Sequence, residues 1–222
     1  MTARSNLALG AIAGPVLLTL AWFVLGFVSP GYSLWGTRIA PYSAISQPLS
    51  GLGLGPTGPY MNAAFVACGL LIIAGVIGII RSLPEMGRRR QWIGAALLML
   101  PGIGSVVDGI FTLESFLPHF AGFVLALSAV VGLPVVGFFL RRVPGWRLAG
   151  SWLIAAGPLT LALAVLYFMT FTPTIEGVQT GIAGLTERIL VIELQAWYVI
   201  LGWRAFRRSS RHDPLTATVE PV

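Results

Sequence analysis

Charge is scarce in this chain: 10% of its residues are charged, against about a quarter in an ordinary soluble domain. With 56% hydrophobic residues and a mean hydropathy of +0.84, the chain carries more apolar surface than a water-soluble core can absorb. Lysine is absent and all fourteen basic residues are arginine, which reflects composition more than mechanism. One cysteine, Cys68, lies inside an apolar run, so no disulfide framework exists and a buried, inert thiol is expected. Histidine is nearly missing as well. His119 and the tail residue His212 stand in no HxxxH or HxxE spacing, so no metal or other cofactor is expected. Ser43, Ser46, Ser50 and Ser105 occupy no nucleophile elbow. Nor is there an internal repeat, which argues against an inverted-repeat transporter.

What the chain has instead is apolar runs. A hydrocarbon core of about 30 Å needs about 20 residues of apolar helix. Such runs lie at about 7–28, 60–80, 92–111, 119–140, 148–170 and 187–206. They predict an all-α polytopic membrane protein, a bundle of six transmembrane helices spanning residues 1–211, with a disordered polar tail at 212–222. The first run contains Trp22 and no clear small-residue cleavage site, so a retained helix is expected in preference to a signal peptide.

Six spans place both ends of the chain on one side. Twelve arginines then fall on that side and only Arg38 and Arg188 on the other. By the positive-inside rule this predicts a cell-membrane protein with cytoplasmic termini. The same confinement explains the net charge of +6 without nucleic acid; membrane lipids are the expected surroundings. The sequence leaves oligomeric state open. Gly10 and Gly14 form a small-xxx-small pair that lets another helix approach closely, and Pro101-Gly102-Ile103-Gly104 makes the third span the one expected to bend.

The side opposite the arginines collects the acids Asp108, Glu114, Glu176, Glu187 and Glu193, and the longest loop, 29–59. Glycine and proline throughout that loop predict an ordered, turn-rich cap, with Tyr32, Trp35 and Tyr42 at the membrane interface. Between Arg188 and Arg204 the last span has only fifteen residues, roughly 22 Å of helix. That is too short to cross the core, so either Arg204 snorkels or Glu187 and Arg188 lie below the surface, and Glu193 is deeper still. A carboxylate near the bilayer centre costs about 2.5–3.5 kcal/mol, so it is expected to face protein. At 100° per residue Arg188 and Gln195 share one face of this helix, while Thr186, Glu193 and Trp197 share another. Asp108 and Glu114 converge with His119 on the same outer edge.

Several of these residues also resemble a known family. The segment Ile45-Ser46-Gln47-Pro48-Leu49-Ser50-Gly51-Leu52-Gly53 with Asn62, the span opening at His119, and Gly184-Leu185-Thr186-Glu187-Arg188-Ile189 followed by Trp197 are similar to the family known as domain of unknown function 998, small prokaryotic proteins of about six spans. The resemblance covers nearly the whole chain, and Gly-Leu-Thr-Glu-Arg is its most specific piece. It implies a membrane location and fold and no settled activity.

The leading functional expectation is a pocket that binds a lipid, isoprenoid or other amphiphile on the outer side. Its polar end would draw on Glu187, Arg188, Glu193, Gln195, Asp108, Glu114, His119, Asn62 and Ser46. The alternative is an intramembrane acid–base enzyme, such as an isoprenoid cyclase or lipid-modifying enzyme, with Glu193, Asp108 and His119 as candidate catalytic groups. A third possibility is a ligand-free scaffold or complex subunit, which predicts no cavity.

Overall fold

A computed structural model describes residues 3–172 and 177–211. Glu176, His212 and the predicted tail 212–222 lie outside the described residues. With no water in a bilayer to satisfy peptide groups, an apolar run must close its hydrogen bonds internally as helix. Six helices long and apolar enough to cross a membrane do so, at Asn6–Val28, Gly55–Arg81, Arg88–Ile110, Phe116–Leu140, Arg147–Thr170 and Ala183–Ser209. The protein is therefore an integral, multi-pass, all-α membrane protein. Its helices are α1 (Ala3–Ala8), α2 (Gly10–Val28), α3 (Gly58–Arg81), α4 (Arg88–Ile110), α5 (Phe116–Leu127), α6 (Ala129–Leu140), α7 (Arg147–Thr170) and α8 (Ala183–Arg211). Large apolar side chains such as Phe27, Leu117 and Met169 remain exposed around the bundle, as a lipid solvent allows.

Two boundaries differ from the sequence reading. The last helix begins at Ala183, a turn earlier than the apolar run suggests, because Glu187 and Arg188 are covered by protein and need not mark the membrane edge. The third span runs as helix without interruption from Arg88 to Ile110. Interruptions fall instead in the first span, at Leu9, and in the fourth, at Ser128, whose hydroxyl donates to the Leu125 carbonyl at 2.6 Å. Such a bond competes with the helical ladder and bends the chain locally.

The helices meet at small residues. Gly10 and Gly14 of α2 face Cys68, Leu71 and Gly75 of α3, and a Cβ on Gly75 would collide with the backbone of Ala11. α8 packs against α2, α3 and α7, so its polar positions meet protein on two sides. The arginine-rich end is tied by Arg204, which donates to the Gly145 carbonyl at 2.6 Å, and by an Arg208–Glu85 ion pair.

At the other end residues 29–57 form a cap. An antiparallel hairpin pairs β1 (Tyr32–Leu34) with β2 (Thr37–Ile39), Tyr32 opposite Ile39. Its two-residue turn places both Trp35 (φ 48°) and Gly36 (φ 82°) in the left-handed region, the geometry that suits the twist of a tight hairpin. Short 3-10 turns follow at Leu49–Gly53 and Gly55–Thr57. Tyr32 and Tyr42 are buried within this cap, not laid at the membrane interface, since each ring fills the cap's own core. Trp35 stays exposed, its indole N–H reaching the Glu114 carbonyl at 3.4 Å.

Candidate functional site

Two adjacent side chains of α8 hold the cap down. Arg188 donates to the carbonyls of Ala44 (2.7 Å), Gln47 (3.2 Å) and its own helix's Gly184 (2.8 Å). Its other terminal nitrogen reaches the Tyr42 hydroxyl at 2.5 Å. The guanidinium also lies over the rings of Trp22 and Tyr42, 5.4 and 5.9 Å from their centroids. Arginine suits this place because its planar fork serves several acceptors at once. Burial pushes the Tyr42 phenol up to about 12, against the opposing pull of Arg188, so it stays neutral and donates to the Pro48 carbonyl at 3.3 Å. Gly184 lets the cap come close: a Cβ there would meet the Gln47 and Ala44 carbonyls.

Glu187 turns to a different part of the cap. One carboxylate oxygen accepts the Leu49 backbone N–H at 2.6 Å, and the side chain also lines a cavity of about 630 Å³ enclosed by the cap, α2, α3, α4, α5, α7 and α8. The cavity wall is largely apolar and aromatic. Phe116 and Phe120 of α5 and Phe168 of α7 line it and are themselves exposed, so on this side the cavity reaches the outer surface of the bundle. Along α8 the lining runs from Glu187 to Gln195, about 12 Å of helix axis.

Asp108 and His119 face each other across the mouth side of this cavity, His119 Nδ1 lying 3.5 Å from Asp108 Oδ1. Nδ1 is also 2.9 Å from the Phe111 carbonyl. A carbonyl only accepts, so Nδ1 carries a proton, and Nε2 is an acceptor whenever the ring is neutral. Asp108 Oδ1 is buried and has no hydrogen-bond partner among the described residues. The helix turn that brings the two together is close-packed, since a Cβ on Gly122 would strike the Asp108 carboxylate.

Sequence comparison places this architecture. The family described as "Protein of unknown function (DUF998)" matches residues 12–204, from the first turn of α2 to within two turns of the end of α8. The chain belongs to the DUF998 family. No curated protein and no solved structure matches it.

In this DUF998 protein the sequence-predicted polar residues divide into three groups. Asp108, His119, Glu187 and Gln195 line one cavity. Gln195 does so while accepting from the Thr19 hydroxyl at 2.8 Å, on the face it shares with Arg188. Arg188, Ser46 and Asn62 instead build the cap: Ser46 is buried in it, and Asn62 donates to the Gly53 carbonyl at 3.1 Å. Glu193 and Glu114 belong to neither group. Glu193 sits half-buried against α7, accepting from Trp197 Nε1 at 2.5 Å with the Thr160 hydroxyl 3.0 Å away. It is remote from the cavity because it projects from the opposite face of α8 from Gln195. Glu114 is exposed in the α4–α5 turn.

Sequence reasoning missed the aromatic wall. Phe116 and Phe120 are spaced to share a face, and Tyr167 and Phe168 lie at the end of an apolar helix. Those signals were present, but in a membrane helix they are indistinguishable from lipid-facing residues. Cys68, expected to be inert, is buried and free, and also lines the cavity.

Proposed function

We propose that this protein binds a lipid, isoprenoid or other amphiphile, taken up from the bilayer through the gap between α5 and α7. The cavity carries the reading: its walls are aromatic and aliphatic, it reaches the outer surface of the bundle, and its polar groups are confined to Asp108, His119, Glu187, Gln195 and a few neutral side chains. A few placed polar groups in an apolar cleft is the general form of a small-molecule site. A ligand-free scaffold has no use for such a volume. The apolar chain of the ligand lies among Phe120, Phe123 and Phe168, and its head reaches the acids beneath the cap.

Mass spectrometry of small molecules co-purifying with the protein tests this. A specific amphiphile should be retained by wild type and by Glu193→Gln, whose side chain lies outside the cavity. Ala126→Phe, which puts a ring into the cavity, should lower its occupancy about tenfold, some 1.4 kcal/mol. Equal recovery from all three proteins, or enrichment of nothing, would sink the reading.

The contact between Asp108 and His119 favours a second reading, an acid–base enzyme acting on the bound molecule, whether an isoprenoid cyclase or another lipid-modifying enzyme. It requires the co-purified amphiphile to be converted on incubation with wild type and left unchanged by His119→Gln.

The arginine-rich end faces the cytoplasm of the cell membrane and the cap faces outward, as the positive-inside rule directs. A membrane-impermeant maleimide should label Ser33→Cys on intact cells and Arg89→Cys only after permeabilisation. The native thiol is 1% exposed and gives little background. The reverse pattern would invert the orientation.

A further inference from the structure

The cavity's unpartnered polar groups include buried hydrogen-bond acceptors, and the adjacent cation, Arg188, is engaged elsewhere. Asp108 Oδ1 is buried without a donor. Glu187, only 7% exposed, lines the cavity and gives one oxygen to Leu49, and the other has no hydrogen bond among the described residues. His119 turns Nδ1 toward the Phe111 carbonyl, so Nε2 is the acceptor whenever the ring is neutral. Arg188 is not part of the lining; its two terminal nitrogens are engaged by the cap. The lining holds neutral donors, among them the Tyr32 and Tyr167 hydroxyls, but no lysine or arginine, so positive charge would have to come from the ligand.

We propose, resting on the amphiphile-binding reading, that the cavity selects amphiphiles with a protonated amine head, a long-chain ammonium, over alcohols and phosphates of the same chain length. An ammonium brings three donors and no acceptor, enough for Asp108, Glu187 and His119 together. It also supplies the counter-charge that lets a carboxyl held out of water ionise, a state that burial alone disfavours. Tyr32, Phe116, Phe120 and Tyr167 line the same cavity and offer ring faces that attract a desolvated cation. A phosphate head would set its negative charge beside two acidic side chains with no lysine or arginine in the lining to meet it.

The test uses the full chain in zwitterionic lipid nanodiscs near neutral pH, with dodecylamine, dodecanol and dodecyl phosphate as probes, bound species counted by native mass spectrometry. The amine should bind about tenfold or more tighter than the alcohol, and the phosphate more weakly than either. Asp108→Asn preserves side-chain shape and should reduce the amine preference about tenfold while alcohol binding is unchanged. Glu187→Gln, which keeps a carbonyl for Leu49, should act in the same direction. Equal binding of amine and alcohol, a preference for phosphate, or an amine preference that survives both substitutions would overturn the ammonium assignment and leave amphiphile binding standing. Binding of none of the three, with wild-type thermal stability, would remove amphiphile binding and this proposal together.

Discussion

Arg188→Met should release the cap. The substitution keeps much of the apolar stem but removes every donor that now reaches Ala44, Gln47, Gly184 and Tyr42. Hydrogen bonds from a charged donor contribute roughly 1.5–3 kcal/mol each, and stranded buried acceptors add a further penalty. The cap can escape that penalty by lifting into water, so the net loss is expected to be about 3 kcal/mol. It should appear as a lower thermal midpoint in nanodiscs and as new protease cleavage between Pro41 and Leu49. Arg188→Lys should fall between, because an ammonium carries the charge without the fork that serves separated acceptors. Glu187→Gln should leave the cap closed, since its carbonyl still accepts the Leu49 N–H. A wild-type midpoint and cleavage pattern for Arg188→Met would mean that the hairpin and the Asn62 contact hold the cap unaided.

Gly75→Leu should be more damaging still. A Cβ at this position collides with backbone atoms of Ala11, which no side-chain rotation relieves, and overpacking commonly costs about 1–3 kcal/mol even where side chains can yield. α2 would have to move off α3. It carries Leu18 to the cavity wall, Thr19 to Gln195 and Trp22 beneath Arg188, so ligand retention should fall along with stability. Gly94→Ala is the matched comparison. Its added Cβ would lie 3.5 Å or more from Met86, Ile80 and Val136, ordinary contact, and alanine favours helix over glycine by about 1 kcal/mol. The expected result is little folded, monomeric Gly75→Leu protein by size-exclusion chromatography and an unchanged or higher midpoint for Gly94→Ala. Normal recovery and stability of Gly75→Leu would show that the α2–α3 seam can open without cost.

The two substitutions act at opposite ends of one dependency. The seam sets where α2 lies, and the position of α2 decides whether Arg188 meets a ring or lipid. Arg188, turned toward the cap, ties it to α8. Glu187, the next residue back, is thereby left to face the cavity. Adjacent positions on a helix point about 100° apart, so one acid and one base standing side by side in sequence need not pair, and here they do different work.

Some of this was legible in the amino-acid sequence. Helix number and the separation of the arginines from the acids follow from local sums of hydropathy and charge, and the bilayer permits those segments little besides helix. The short interval between Arg188 and Arg204 already required a charge at membrane depth. Helical periodicity separated the Gln195 face of α8 from the Glu193 face. Which of these two faces meets the cavity was decided by tertiary structure alone, because it depends on the order in which the other helices surround α8. Glu193 had every sequence attribute of a site residue, and packing set it against Trp197 and α7. Phe120 and Phe168 had only the attributes of lipid-facing residues, and packing made them the cavity's mouth. The sequence by itself determined how often the chain crosses the membrane and which end carries the positive charge, since each span answers to the bilayer alone. Only the fold decided which polar groups share a cavity, since that depends on contacts between residues as far apart as Leu49 and Glu187.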